Sequence, residues 1–286
     1  MVFIKHVKGG SLYMGDYIIG RNGENIEINR IYCEDNVKGM KRLGDNTIDM
    51  VCTSPPYDNL RQYNGYSFDF DNVAKELYRI TKQGGVVVWV VGDATIDGSE
   101  TGTSFRQALF FMECGFKLWD TMIYSSDKPP LNTRRYEPQF EYMFVLSKGK
   151  PNTFNGIKVA SLQAGKRPGH GTFRNIGTGQ KDRWSNKPVP DEKLRGNIWY
   201  YATGVGGTTN DMIAFNHPAT FPEKLVRDHI TSWSNEGDIV LDPFMGSGTT
   251  AKVARALGRK WIGFEISQEY VDLANKRLQE TKTLFD

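Results

Sequence analysis

Residues 239–250 read Ile-Val-Leu-Asp-Pro-Phe-Met-Gly-Ser-Gly-Thr-Thr, an apolar run that stops at Asp242 and passes through a Gly-rich turn into a helix-forming segment. A strand feeding such a turn places an acid and several backbone amides at the carboxyl edge of a sheet, where α/β folds hold polar ligands. Gly246 and Gly248 let the chain turn tightly, and Thr249 and Thr250 open a helix that Gly258 closes. Trp261-Ile262-Gly263-Phe264 is then a second buried strand with Glu265 at its end. Glu265 stands about 20 residues beyond the glycines, the spacing at which an acid meets a ribose in dinucleotide folds. A final amphipathic helix starts near Ser267 and turns Tyr270, Leu273, Ala274 and Leu278 inward, and another helix is expected upstream from Pro222 to Trp233.

The same alternation runs through the first half of the chain. Ile26 to Cys33 reads as one strand ending in Glu34-Asp35, and Ile48 to Cys52 as a second that stops at Thr53-Ser54-Pro55-Pro56-Tyr57. Asp71 is the expected N-cap of a helix carrying Val73, Leu77 and Ile80 on one face, with Gly84-Gly85 closing it. Val86 to Val91 is too continuously apolar for a sheet face open to water and belongs in a parallel sheet covered on both sides. A helix from Ser104 to Cys114 and strands at Leu118–Tyr124 and Phe140–Leu146 follow. These elements predict a doubly wound, mostly parallel α/β domain in two parts, 1–150 and 213–286. Between them, from Pro151 to Met212, both periods fade while glycine recurs ten times among basic and aromatic residues. That segment is the expected insert.

With 286 residues, 39% of them apolar, the chain can bury one large core. It has no apolar run of the roughly 20 residues that cross a bilayer, and Met1-Val2-Phe3-Ile4-Lys5-His6 lacks a signal-peptide core, so a cytoplasmic protein without a membrane partner is expected. Cys33, Cys52 and Cys114 stand far apart, which fits neither a zinc site nor a disulfide framework, and no metal is expected. The net charge of +3 is modest, but the expected insert holds nine Lys and Arg against four acids. A polyanion would be met there, unless the charges only solvate a Gly-rich loop.

Ser54-Pro55-Pro56-Tyr57 joins a small hydroxyl, two rigid residues and an aromatic face at the end of a buried strand. An exocyclic amino group on a base is a poor nucleophile because its lone pair is delocalised into the ring. Acceptors aimed at its two protons favour a pyramidal nitrogen, and Ser54 Oγ and the Pro55 carbonyl can supply them. Tyr57 offers a stacking surface, and a base must leave its duplex to reach such a pocket. Read with Asp242 to Thr250, these residues resemble the amino-methylating DNA methyltransferases that use S-adenosylmethionine (SAM). The catalytic tetrad precedes the cofactor loop, which is the order of the permuted beta group.

The resemblance implies a cofactor site of Asp242, Pro243, Phe244, Gly246, Ser247, Gly248, Thr249 and Thr250, with Glu265 at the ribose and Asp35 near the adenine. His217 to Leu225 resembles the segment that walls the methionine end, with Phe221 and Lys224 as its candidates. It further implies a target-recognition region within 151–212, where Lys166, Arg167, Arg174 and Arg183 would contact double-stranded DNA, joined by Arg134 and Arg135 ahead of it. Trp184, Trp199 and Tyr200 are expected to pack the insert rather than wedge into DNA. A cognate restriction endonuclease and a homodimer go with the resemblance. Ser at position 54 favours cytosine N4 over adenine N6, and the missing Pro-Cys nucleophile disfavours C5 methylation. A methyltransferase of RNA or protein, and a DNA-binding protein without turnover, are the other readings of the same residues.

Overall fold

The computed structural model describes residues 17–57, 69–126, 136–166, 172–174, 178, 181–183, 188–217, 219–220 and 222–280, with the backbone alone for 172–174 and 181–183. In chain order the strands are β1 (Tyr17–Ile19), β2 (Asn25–Glu27), β3 (Arg30–Cys33), β4 (Ile48–Thr53), β5 (Thr81–Val91), β6 (Thr95–Ile96), β7 (Ser99–Glu100), β8 (Lys117–Ser125) and β9 (Phe140–Ser147). They continue with β10 (Lys158–Ala160), β11 (Thr172–Arg174), β12 (Lys181–Arg183), β13 (Glu192–Leu194), β14 (Ile198–Tyr200), β15 (Ile239–Asp242) and β16 (Lys260–Glu265). The helices are α1 (Asn36–Arg42), α2 (Phe70–Ile80), α3 (Thr103–Glu113), α4 (Glu223–Trp233), α5 (Thr249–Ala256) and α6 (Gln268–Glu280).

Eight strands form the main sheet in the order β14-β8-β9-β5-β4-β15-β16-β3. β9 runs antiparallel to both of its neighbours, and every other pairing in the sheet is parallel. The central strands β4, β5 and β15 are buried on both faces, and alternate side chains of each point to opposite sides. Val87 and Trp89 of β5 and Leu241 of β15 join a cluster with Met40 of α1, Leu77 of α2 and Phe111 of α3. Val86, Val88, Val90 and Val240 are equally buried but lie outside that cluster, on the face where α4, α5 and α6 neighbour one another. β5 is thus central and wholly apolar over Val86–Val91 as expected, although its partner on one side, β9, is antiparallel.

Three local expectations are corrected. Ile26 to Cys33 is two strands: Asn29 sits at φ 58° and turns the chain, so β2 pairs with β1 in a separate hairpin while β3 joins the main sheet beside β16. The N-cap of α2 is Asp69, whose carboxylate accepts from the Asn72 amide, and Asp71 falls in the first turn. The helix closes at Thr81, leaving Gly84 and Gly85 within β5, where Gly84 takes φ 79°.

A second compact unit spans Gly156–Gly196 and contains two antiparallel pairs, β10 with β13 and β11 with β12. It is narrower than 151–212, because Ile198–Tyr200 adds a parallel edge strand to β8. Trp199 is buried there, its ring tilted against His229 of α4 with centroids 4.8 Å apart, rather than within the insert. Tyr200 is half exposed, and Trp184 lies outside the described residues. No described helix is long and apolar enough to cross a membrane.

Candidate active site

β4 and β15 lie side by side and parallel, with Val51 opposite Leu241, so the residues that follow both strands emerge together at one edge of the sheet. Asp242 is the junction. Its Oδ1 accepts from Thr53 Oγ1 at 2.6 Å and from the Phe244 amide at 3.0 Å, and its Oδ2 accepts from Thr250 Oγ1 at 2.7 Å. Thr250 also reaches the Cys52 carbonyl at 3.2 Å. The strand end that carries Ser54 and the Gly-rich loop are therefore tied through one carboxylate.

Burial pushes the Asp242 carboxyl up to about 6, and the nearby Glu265 charge adds to this, against the three hydrogen bonds that favour the anion. Folding thus makes the acid easier to protonate than in the open chain, while above about pH 6 it is held as the anion by its three donors. Its contribution to stability is full below the ordinary carboxylate value of 3.8 and is lost as pH rises through about 6. Asp242→Asn removes this titration. In urea unfolding from pH 4 to pH 8, the wild type should lose about 2 kcal/mol relative to the Asn variant. A difference that stays flat over that range would refute the assignment.

The Gly-rich loop is held from several directions. Gly246 and Gly248 take φ 49° and 80°, and a Cβ on Gly248 would lie 2.7 Å from the Ala274 Cβ of α6. Glycine is needed here for the turn and for close helix packing. The Met245 amide bonds the Phe264 carbonyl, and Glu265 receives the Gly246 amide on Oε2 and the Ser267 amide on Oε1, both at 2.9 Å. Burial raises the Glu265 pKa despite these amides. Pro243 is buried, and Phe244 packs its ring edge-on to Trp89. α5 opens at Gly248 with no capping side chain. The Phe244, Met245, Gly246 and Gly248 amides are bonded within the fold, so a ligand would meet the main-chain amides of the uncapped first turn of α5.

Beneath the loop lies a feature that the sequence reading missed. Arg277 of α6 is fully buried, and its Nη1 reaches the Ser247 carbonyl, Ser247 Oγ at 3.1 Å and Thr249 Oγ1 at 3.3 Å. Nη2 bonds Glu223 at 2.9 Å and Nε bonds Asp211 at 3.3 Å, while Lys252 bonds both acids. Burial pushes the Asp211 carboxyl up, but Lys252 and Arg277 outweigh it and hold the acid below its ordinary value. Two cations and two anions here join the 3-10 helix at Met212–Asn216, α4, α5 and α6 to the loop. One signal was legible: Arg277 falls on the apolar stripe of α6 with Val271, Ala274 and Leu278, where an unpaired charge would not be tolerated.

At the end of β4, Pro55 is buried, and Ser54, Pro56 and Tyr57 are partly exposed. Ser54 Oγ lies 2.8 Å from Tyr57 Oη, which also contacts the Val90 carbonyl at 3.2 Å and Glu141 Oε2 at 3.1 Å. Glu141, on β9, had no local sequence signal.

The remaining candidates are more peripheral. Asp35 is exposed and caps α1 through the Lys38 amide at 2.8 Å, just beyond Cys33, which pairs with Glu265 across β3 and β16. His217 is buried against the loop, since a Cβ on Gly246 would meet its Nε2 at 2.9 Å. Lys224 is exposed in the first turn of α4, and Lys166 is exposed in the Gly156–Gly196 unit. Phe221, Arg134, Arg135 and Arg167 lie outside the described residues, and Arg174 and Arg183 are placed by backbone only, in β11 and β12. Among the described residues no cluster of His, Cys, Asp and Glu could hold a metal ion.

A family model of N6/N4 type, described as DNA methylase, matches residues 48–276. The orphan methyltransferase M.BamHII of Bacillus amyloliquefaciens is 57% identical over 243 residues, covering 84% of this chain and 91% of that protein. A solved complex of M1.HpyAVI with SAM is similar at 25% identity and a TM-score of 0.57, covering 87% of this chain and 99% of the other. The cytosine-N4-specific PvuII DNA methyltransferase shares the fold with a TM-score of 0.65 at 22% identity, over 86% of this chain and 85% of its own.

Proposed function

The chain belongs to the N6/N4 DNA methylase family, and from that premise we propose that it moves a methyl group from SAM to the exocyclic amino group of a flipped base, cytosine N4 in preference to adenine N6. The observation that carries this reading is the Asp242 junction, which sets the Gly-rich loop and the Ser54 strand end at one edge of the sheet. When bound, SAM supplies a methyl group on a positively charged sulfur. The main-chain amides of the α5 start after the Gly-rich loop, Glu265 at the ribose, Asp35 near the adenine, and Asp242, Phe221 and Lys224 at the methionine end are assigned to hold it. The donor set suits such a ligand: carboxylates for hydroxyls and ammonium, and an uncapped helix start for a carboxylate.

On this reading Ser54 Oγ and the Pro55 carbonyl accept hydrogen bonds from the amino group's two N–H bonds, freeing the nitrogen lone pair, while Tyr57 stacks on the ring. Transfer is an in-line displacement in which positioning and polarisation do most of the work. No enzyme nucleophile is required, in keeping with a buried Cys52 whose thiol burial holds neutral. Mass spectrometry of digested DNA, after incubation with the protein and SAM, tests the reading. N4-methylcytosine is expected, N6-methyladenine would replace the base and keep the mechanism, and 5-methylcytosine would overturn it.

The basic excess within 151–212 supports double-stranded DNA contact through that segment. Lys166, Arg167 and Arg174 changed together to Gln should weaken DNA binding and flatten its log-log salt dependence by about one unit for each phosphate no longer neutralised. An unchanged slope in a fluorescence-anisotropy titration would move the DNA surface elsewhere, to Arg134 and Arg135 first. Two further partners come with the resemblance, a cognate restriction endonuclease and a second copy of the chain.

A further inference from the structure

Ser54, Tyr57 and Glu141 form a run of hydrogen bonds that leads from the reacting end of β4 to β9. Tyr57 Oη has one proton to give, and the oxygens around it among the described residues include Ser54 Oγ at 2.8 Å, Glu141 Oε2 at 3.1 Å and the Val90 carbonyl at 3.2 Å. A carboxylate and a backbone carbonyl can only accept. Were the Tyr57 proton turned to Ser54, the phenol lone pairs would face a charged oxygen and a carbonyl in a partly buried site. The proton therefore lies on the Glu141 side, where the bond is charge-assisted. Ser54 is then the donor to Tyr57, and its two lone pairs remain for a group outside. The anion makes itself felt nearby: burial first, and then the Glu141 charge, push Tyr124, its partner across β8 and β9, up to about 12.

Stacking alone would not need this hydroxyl, since a phenylalanine ring stacks as well. We propose that Glu141 is a positioning residue for methyl transfer: through Tyr57 it turns the Ser54 proton inward and so fixes Ser54 Oγ as an acceptor for the amino group. The proposal rests on the amino-methylation reading above. It adds a residue that neither the tetrad nor the Gly-rich loop contains.

The test is a double-mutant cycle in single-turnover transfer of tritiated methyl from SAM to unmethylated bacterial genomic DNA. Tyr57→Phe keeps the ring and cuts the chain, and Glu141→Ala removes the acceptor of the Tyr57 proton. Each should slow transfer about tenfold, the effect of one such hydrogen bond, with SAM affinity by calorimetry unchanged. The double variant should be no slower than the slower single one, because both changes break the same chain. Glu141→Gln, which keeps an acceptor, should recover part of the rate, and it carries the comparison if the Ala variant does not fold. Full-rate transfer by Glu141→Ala, or single effects that multiply in the double variant, would overturn the proposal while leaving the function reading in place. A wild type that methylates no amino group would overturn both.

Discussion

Arg277→Ala is expected to lower the unfolding free energy of the ligand-free protein by about 3–5 kcal/mol, the cost of removing one partner from a buried ion cluster. The wild-type cluster balances two cations against two anions. Without the guanidinium, Asp211 and Glu223 share the Lys252 ammonium alone, and the Ser247 carbonyl loses its donor. Arg277→Lys keeps the charge but cannot reach Ser247, Glu223 and Asp211 at once, so it should recover only part of the stability. Chemical denaturation reads both variants directly. A change below about 1 kcal/mol would mean that the cluster contributes no more than an exposed ion pair.

The second large effect is on chemistry. Ser54→Ala should reduce single-turnover methyl transfer by about 10²–10³-fold, the range seen when one preorganised polar group is removed from a reacting site. SAM affinity should hold, because the hydroxyls that bind Asp242 belong to Thr53 and Thr250 and not to Ser54. Parallel calorimetry and rapid-quench measurement separate the two quantities. A rate near the wild type would remove Ser54 from the mechanism, and a parallel drop in affinity would make it a structural residue of the loop junction.

Much of the fold could be read from the chain because its signals are local. The strand, turn and helix from Ile239 through Ala256 follow from an apolar run, two glycines and a helix-forming segment, all within twenty residues. Where the reading failed, geometry set by distant residues decided. Asn29 is of a type that tolerates the left-handed region, but the turn is fixed by a bond from its amide to the carbonyl of Trp261 far along the chain. Asp69 and Asp71 are equally good caps by type, and only the backbone at the helix start chooses between them. Trp199 sits among glycines and charges that suggest a loop, yet it reaches α4. The same holds for the site. Ser54 and Asp242 announce themselves by their neighbours in sequence, whereas Thr53, Glu141 and Arg277 acquire their partners only once the sheet and the last helix are assembled.

The hydrogen bond from Thr53 to Asp242 joins positions 189 residues apart. Contacts between such distant positions form slowly, since the loop they close must be ordered before they repay its entropy. The edge of the sheet where both meet should therefore be among the last regions to mature during refolding, after the near-neighbour pairing of β8 with β9. A ligand that engages both strand ends can recognise only the finished chain, and its binding becomes a clock for the final folding step.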